Sequence, residues 1–579
     1  MVEGEAPAAI SHPYNLRSRA NKALEAAATR QWEISNDFSG YARAMARPDA
    51  ELWKEAINDE LTSLAKNGTW RLVALPPGRT PLTTTWVFKV KTDGDGQVER
   101  YKARLCVRGF EQRAGVDFHE VFAPTSGKVA QRAFLTYAAL VNYEVQQVDI
   151  KTAFLNAALN EDIYVQIPEG LKGSMKTTGE EEQVLKLEKS LYGLKQAPRM
   201  WHQHLTQTLK SELGFVCNPV DETILKCIHQ DTGKECLILI YVDDLLIAAE
   251  DLNTTQIVIE SICRKYDARD LGPASFFCGM VIQRNREKRL IYLSEQEKIK
   301  KLIHQFNMDS SRTRKTPLDF TLTKGEEEES CQTKPYQVLV GTLLYLSTTT
   351  RPDLCQAASQ LSRFMADPKN SHWEAAKNVL KYLKETVNYG LCLGNRINIL
   401  QKELDEDIDM FTLTGYCDAD YATDKVTRKS RTGYVFLLSG SLISWQSKLQ
   451  ATVSTSTAEA EYQAASSAVK EGLWLKNLLT DLTSGAVKQQ IKMLCDNQAC
   501  IKIAQSSGSM VRTKHIDVAH HFVRERVLFG EVSFQYCDTS NMLADFLTKP
   551  SKVQSFWKCI TGIGVMSSPD WCTSVQPTE

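Results

Sequence analysis

With 579 residues the chain exceeds one ordinary domain, and a soft prior of one domain per ~150 residues points to about four units. Hydrophobic residues make up 43% and charged residues 24%, which excludes a mainly disordered or fibrous protein, while 69 basic against 70 acidic residues confine any nucleic-acid contact to local basic patches. The 15 cysteines are scattered singly, with no Cys-x-x-Cys pair, and there is neither a signal-like start nor a run of about 18 apolar residues. These features argue against a disulfide framework, a structural zinc site and a membrane span, and for a reducing, intracellular setting.

In chain order, residues 1–48 are rich in Ala, Arg and Ser and read as a flexible basic tail carrying the cluster Arg17 to Lys22. The spacing Trp53, Ala56, Ile57, Glu60, Leu61, Leu64 predicts a helix that stops at Asn67-Gly68, followed by an extended, β-rich stretch from Thr69 to Val90. Two acidic inserts, Gly179 to Glu182 and Gly325 to Ser330, are expected as surface loops. Residues 394–410 read as a linker, and residues 551–579 as a C-terminal tail without an assigned role.

The segment Leu237 to Ala249 places two short apolar runs around Tyr241-Val242-Asp243-Asp244. Two adjacent carboxylates at the tip of buried strands repel each other and are costly to desolvate unless cations accompany them. On this segment alone a water-exposed Asp-Asp turn fits equally well. A further acid, Asp149, closes the β-rich run Gln147-Val148-Asp149-Ile150. Singly it reads as a helix cap. Together the three carboxylates suit two Mg²⁺ ions and nucleotidyl transfer.

The ordered motifs Asn67-Gly-Thr-Trp70, Trp86-Val-Phe-Lys89, Glu99 to Leu105, Asp149 to Phe154, Leu191 to Pro198 and Tyr241-Val-Asp-Asp244 resemble the reverse transcriptase of copia-type long-terminal-repeat retrotransposons. The resemblance implies an α+β multidomain chain. Its right-hand polymerase would have fingers and palm over 49–300 and thumb/connection over 301–393, ahead of a mixed-sheet α/β ribonuclease H-like domain over 411–550. It also implies site roles. Lys89, Lys102 and Arg104 would meet the incoming triphosphate, Phe154 would exclude a ribose 2′-hydroxyl, and Gln196 would support nucleotide and template. Phe277, Gly279 and Met280 would contact the primer. Taken singly, the cations also fit an exposed basic strand face, Phe154 a core ring, and Gly279 a bulge.

After the linker, Phe411 to Asp418 alternates as a strand ending in an acid, two further strands follow, and Ser456-Thr-Ala-Glu459 has capping-box spacing. On the helix that opens there, Glu461 shares a stripe with Ala465, Ala468, Leu475 and Leu479. Asp496 ends the next strand and Asp545 sits on a short downstream helix. Each acid alone could be a cap or a turn residue. The matches at Gly415 to Asp418, Ser456 to Tyr462, Cys495-Asp-Asn497 and Leu543 to Lys549 imply a ribonuclease H site of Asp418, Glu461, Asp496 and Asp545 holding two metals, with Asp418 preferred over Asp420. His515 and His520-His521 have no flanking cysteines and read as a helix surface near nucleic acid.

The expected activity is therefore RNA-directed DNA synthesis joined to cleavage of RNA in hybrids. The cofactor would be Mg²⁺, two per site, with Mn²⁺ as a substitute. Partners would be RNA or DNA template, primer, RNA/DNA hybrid, dNTPs and other retroelement proteins, in cytoplasmic particles with the nucleus as a further compartment. Two rivals are a decayed or domesticated fragment that binds nucleic acid without catalysis, and a free nuclease. The first is motivated by the lack of a nucleocapsid knuckle, an integrase zinc site and a protease context for the lone Asp-Thr-Gly at Asp231. The second predicts damage to Asp149, Asp243 or Asp244, and all three are intact.

Overall fold

The computed structural model describes residues 38–92, 98–171, 183–324, 328–397, 409–506 and 517–568. The basic cluster Arg17 to Lys22, the acidic insert 179–182, part of the insert 325–330, and His515 lie outside them.

A helix spans Ala50–Lys66, as the apolar spacing predicts, and buries Trp53, Ala56, Ile57 and Leu64. It covers an antiparallel hairpin of Thr84–Thr92 and Val98–Val107, where the Trp53 ring meets Phe88 at 5.1 Å and Tyr101 at 4.6 Å. Folded structure begins before residue 49, contrary to the expected tail. Phe38–Ser39 pairs with the hairpin, and Ala44 on the helix Tyr41–Met45 is buried.

The palm is a six-stranded antiparallel sheet in the order Ala268–Pro273, Glu144–Ile150, Asp244–Ala249, Glu235–Tyr241, Ile224–Ile228, Val216–Cys217. Its central strands read as unbroken apolar runs because both faces are covered. Alternation sends Leu237, Leu239, Leu246 and Ala248 into a core shared with the helix Lys128–Leu140. Ile238, Ile240, Leu245 and Ile247 pack instead with Trp201 and Leu205 of the helix Ala197–Leu213 and with Val258 of the helix Leu252–Lys265. Each such side chain contributes roughly 1.5–3 kcal/mol on burial, so the strand ends that carry the acids stand on a rigid base.

A second sheet crosses the expected palm–thumb border at 300. Its order is Phe276–Phe277, Met280–Asn285, Leu290–Ser294, Tyr389–Gly394, Val565–Ser567. The last strand corrects the reading of 551–579 as a tail, because the helix Val553–Gly562 buries Phe556, Cys559 and Ile560 and leads the chain back onto Tyr389–Gly394. The expected linker is also partly built into the fold. Buried Arg396 donates to the carbonyls of Gly440 and Thr561, each at 3.1 Å.

The final sheet has the order Ser441–Leu449, Arg431–Leu438, Leu413–Asp420, Ile491–Cys495, Val532–Tyr536. The first three strands are antiparallel and the last two run parallel to Leu413–Asp420, with helices supplying the crossovers. This is the mixed sheet of a ribonuclease H-like domain. It does not hang free, since one continuous core joins it to the palm helix and the thumb.

Candidate active sites

Asp149 and Asp244 are direct cross-strand partners, so their side chains leave the same face of the palm sheet. Asp243 occupies the two-residue turn between Tyr241 and Asp244, and its carbonyl accepts from Ile150 N–H at 2.9 Å. Val242, the other turn residue, has φ 59°, a left-handed conformation that β-branched residues avoid at a cost of order 1–3 kcal/mol. Trp201 holds it there by donating Nε1–H to the Val242 carbonyl at 2.6 Å. Burial raises the carboxyls of both Asp243 and Asp244 above the usual range. Asp244 reaches about 6, with the charges of Asp243 and Asp149 adding to the effect and a hydrogen bond from Gln147 opposing it. Asp243 is raised by burial and by Asp149, and lowered by Arg104 and Lys102. A site that raises carboxyl pKa values by crowding is one that cations relieve.

Cations of the fingers hairpin reach these acids electrostatically, Lys102 and Arg104 acting on Asp243 and Lys91 on Asp244. Lys89 lies opposite Lys102, Lys91 opposite Arg100, and Val87 opposite Arg104, so five cations share one face of two strands. Arg104 stacks over the Tyr192 ring at 5.4 Å, and the Tyr192 and Phe154 rings meet edge-on at 5.1 Å. Phe154 is half-buried where the fingers and palm cores meet.

Other expected contact residues lie inside the fold. Gln196 is 1% exposed and fully engaged, donating to Asp117 O at 2.8 Å and Glu161 Oε2 at 3.2 Å and accepting from Gln112 at 3.0 Å. It braces the loop around Asp117. Phe277 and Met280 are also core residues, and the exposed ring of that hairpin is Phe276, at 56%. Gly279 forms the turn with φ 86°, where an added Cβ would stand 2.6 Å from the Tyr345 hydroxyl. Sequence reasoning missed Gln147, Gln112 and Trp201. Only the indole of Trp201 bore a signal, as a large residue inside a helical stripe.

In the second domain the strand Leu413–Asp420 runs two residues past Asp418, so it is Asp420, half-buried on the same face, that closes it; Asp418 is 3% exposed and accepts a hydrogen bond from Thr548. Burial raises Asp418 to about 7, with Asp545 and Asp496 adding to the shift and the Thr548 hydrogen bond opposing it. Glu461 reaches about 10 through burial, Asp418, the Cys495 sulfur and Asp496. Asp545 pairs with Lys549 at 2.5 Å, and Asp496 accepts from Thr539 at 2.8 Å. The helix Thr457–Leu482 that carries Glu461 is capped by Ser456 accepting from Glu459 N–H at 3.2 Å. The Glu459 carboxylate reaches Thr455, so the expected capping box is only half made.

The four acids are thus electrostatically joined, and Glu461 Oε2 is buried without a hydrogen-bond partner, the condition a bound cation would satisfy. Among the described residues one group of three donors has ligand atoms all within 4.8 Å of one another: Glu461, Asp496 and, unexpectedly, Cys495. His521 is exposed on the helix Asp517–Leu528. Among the described residues no helix is long and apolar enough to cross a membrane.

A family model described as reverse transcriptase (RNA-dependent DNA polymerase) matches residues 67–319, the span that holds both the palm acids and the basic hairpin. The chain is 40% identical over 537 residues to the retrovirus-related Pol polyprotein from transposon TNT 1-94 of Nicotiana tabacum, covering 90% of this chain and 38% of that protein. With the corresponding polyprotein from transposon RE1 of Arabidopsis thaliana it shares 33% over 525 residues, 90% of this chain and 34% of that one. A putative transposon Ty5-1 protein of Saccharomyces cerevisiae is 34% identical over 327 residues, 56% of this chain and the whole of that protein. A foamy viral protease-reverse transcriptase solved in complex with RNA/DNA hybrid aligns at TM-score 0.42 and 12% identity, over 84% of this chain and 54% of that one. The chain belongs to the reverse transcriptase family of copia-type transposon Pol proteins. It spans well under half the length of the two plant Pol polyproteins it matches. Enzymes of this class depend on divalent metal.

Proposed function

We propose that this chain copies RNA or DNA templates into DNA from dNTPs and, through its second domain, cleaves the RNA strand of the resulting hybrid. The observation that carries the reading is the meeting of Asp149, Asp243 and Asp244 at the end of the palm sheet, beneath a hairpin face of five cations. Divalent ions, Mg²⁺ or Mn²⁺ and two per site, would be held by Asp149, Asp243 and Asp244 and by Asp418, Glu461, Asp496 and Asp545, where they activate the attacking oxygen and offset phosphate charge.

The chain's own residues do the rest. Lys89, Lys102 and Arg104 pair with triphosphate oxygens. Phe154, braced by Tyr192, blocks a ribose 2′-hydroxyl and so selects deoxynucleotides. Trp201 fixes the Asp243 turn, so the acids need no rearrangement when substrate arrives. The second domain distinguishes the RNA strand by the shape of its minor groove and its 2′-hydroxyls, without sequence specificity. The setting is a cytoplasmic particle shared with other retroelement proteins, with a nuclear stage.

The test is dNTP incorporation on poly(rA)/oligo(dT) with Mg²⁺, beside an Asp243→Asn variant. Loss of at least about a hundredfold is expected, because metal-held charge contributes several kcal/mol to such a step. Equal activity in the two proteins overturns the assignment and favours a non-catalytic binding protein. RNA release from a hybrid should vanish in Asp496→Asn while incorporation persists.

A further inference from the structure

Cys495 has no part in the nuclease reading, yet its sulfur lies in the acid cluster. The strands Leu413–Asp420 and Ile491–Cys495 run parallel with Tyr416 opposite Leu494, which brings Cys417 beside Cys495. Cys500, on the helix Gln498–Gln505, lies within hydrogen-bonding reach of the same sulfur, and all three thiols are buried. Cys495 Sγ, a carboxylate oxygen of Glu461 and one of Asp496 lie within 4.8 Å of one another. Glu461 is 7% exposed and its Oε2 has no hydrogen-bond partner, so a strong acceptor in this pocket is unsatisfied. Asp496 is half-buried and gives the pocket an opening to solvent.

We propose that Glu461, Cys495 and Asp496 form a mixed carboxylate–thiolate site that captures a thiophilic divalent cation such as Zn²⁺, and that this capture shuts off hydrolysis in the second domain. Magnesium prefers oxygen donors in an octahedral shell, whereas zinc takes thiolate and carboxylate together in a tetrahedral one. On binding, the Cys495 S–H bond breaks, its proton passes to solvent and a sulfur–zinc bond forms, with no change of oxidation state. Zinc held through sulfur withdraws Glu461 and Asp496 from the geometry that magnesium requires. Among the described residues no comparable thiol-bearing group surrounds the palm acids, so polymerisation should be the less zinc-sensitive activity. The binding stands on the geometry alone, and only its consequence rests on the nuclease reading.

The experiment titrates the full chain with Zn²⁺ and with Co²⁺ as its spectroscopic substitute. Zinc-edge X-ray absorption of the unmodified chain should show one sulfur at about 2.3 Å, a readout that needs no variant. Co²⁺ should give a near-ultraviolet thiolate charge-transfer band that is lost in Cys495→Ser and kept in Cys500→Ala. With Mg²⁺ in excess, hybrid cleavage should require at least about tenfold more Zn²⁺ for inhibition in Cys495→Ser than in the unmodified chain, the loss of one ligand from a first coordination shell weakening metal binding at least that much. A shell of oxygen and nitrogen only, a band that survives Cys495→Ser, or equal Zn²⁺ sensitivity overturns the proposal. Absence of hybrid cleavage in the unmodified chain would overturn the nuclease reading, and the sulfur shell would still decide the site.

Discussion

Lys102 sits in the middle of a row of like charges, half-buried on a strand with Lys89 directly opposite. Burial, then Arg104, Arg100 and Lys91, push its pKa down from 10.5 to about 8. Because the folded value is the lower one, the folded chain holds fewer protons than the unfolded chain between about 8 and 10.5, and stability from this group rises with pH across that window. In the role proposed for Lys102, triphosphate binding should have the opposite dependence, since the cation is present below about 8 and lost above it. The KM for dNTP should therefore rise several-fold from pH 7 to pH 9, a trend expected to flatten in Lys102→Arg, whose guanidinium stays charged. Steady-state KM profiles of the two proteins check this, and parallel profiles would remove Lys102 from the nucleotide site. The charge of Lys102 was legible in the sequence because the residue type carries it. The depression was not, because it arises from cross-strand neighbours that only the register defines.

At the scale of the element, strand parity decides what a motif can touch. The hairpin Phe276–Phe277/Met280–Asn285 turns through Cys278 and Gly279, so Phe277 and Met280 flank the turn and share one face. That face meets the core beside Tyr241, whose ring lies 6.2 Å from that of Phe277, and the opposite face leaves Phe276 in solvent. The motif itself was legible, but the choice between Phe276 and Phe277 was not. In a two-residue run of identical apolar rings the period-2 signal has no phase, and a shift of one exchanges inside for outside. The palm strands erred in the other direction. Covered on both faces, they gave an unmistakable apolar run and no indication of which helix each side chain would meet. The burial of Gln196 was hidden for a related reason, since a polar residue in a loop motif looks available until its three hydrogen-bond partners, all distant in sequence, are in place. The expected outcome is a clean division. Phe276→Ala should weaken binding of a primer–template duplex while leaving the melting temperature within about a degree, surface changes costing little. Phe277→Ala should destabilise the chain by about 3–5 kcal/mol. Duplex titration and thermal melts of both variants read this directly, and a Phe276→Ala protein with unchanged affinity would leave the hairpin without a primer contact.

Across the whole molecule, the two acid-bearing units share one packed core. Arg132, buried on the palm helix Lys128–Leu140, donates to Ile443 O at 2.8 Å in the second domain and to Thr348 O and Thr349 O at 2.9 and 3.0 Å in the thumb. Its guanidinium stacks on Trp445 at 3.8 Å, and Trp445 in turn donates to Ser347 O at 2.8 Å. Local patterning revealed each domain but not this clasp, because a cation satisfied by three carbonyls leaves no charge partner in the sequence. The chain end adds the closing contact. Residues after Pro550 looked like a tail although Phe556, Cys559, Ile560 and Ile563 follow helical spacing, since that stripe says nothing of the distant surface it covers, which includes Tyr382 and Tyr389. Deleting residues 551–579 would strip away Phe556, Ile560, Ile563 and Val565, all buried. At 1.5–3 kcal/mol each this amounts to roughly 6–12 kcal/mol, comparable to the whole stability of a typical protein. It would also leave Tyr389–Gly394 as a bare sheet edge. The truncated chain should therefore lose dNTP incorporation together with hybrid cleavage and accumulate as aggregate, although both sets of acids remain. Expression of the 1–550 fragment with both assays and size-exclusion chromatography tests this, and a monomeric fragment that still polymerises would show that the two units are held together by the Arg132 clasp without the returning strand.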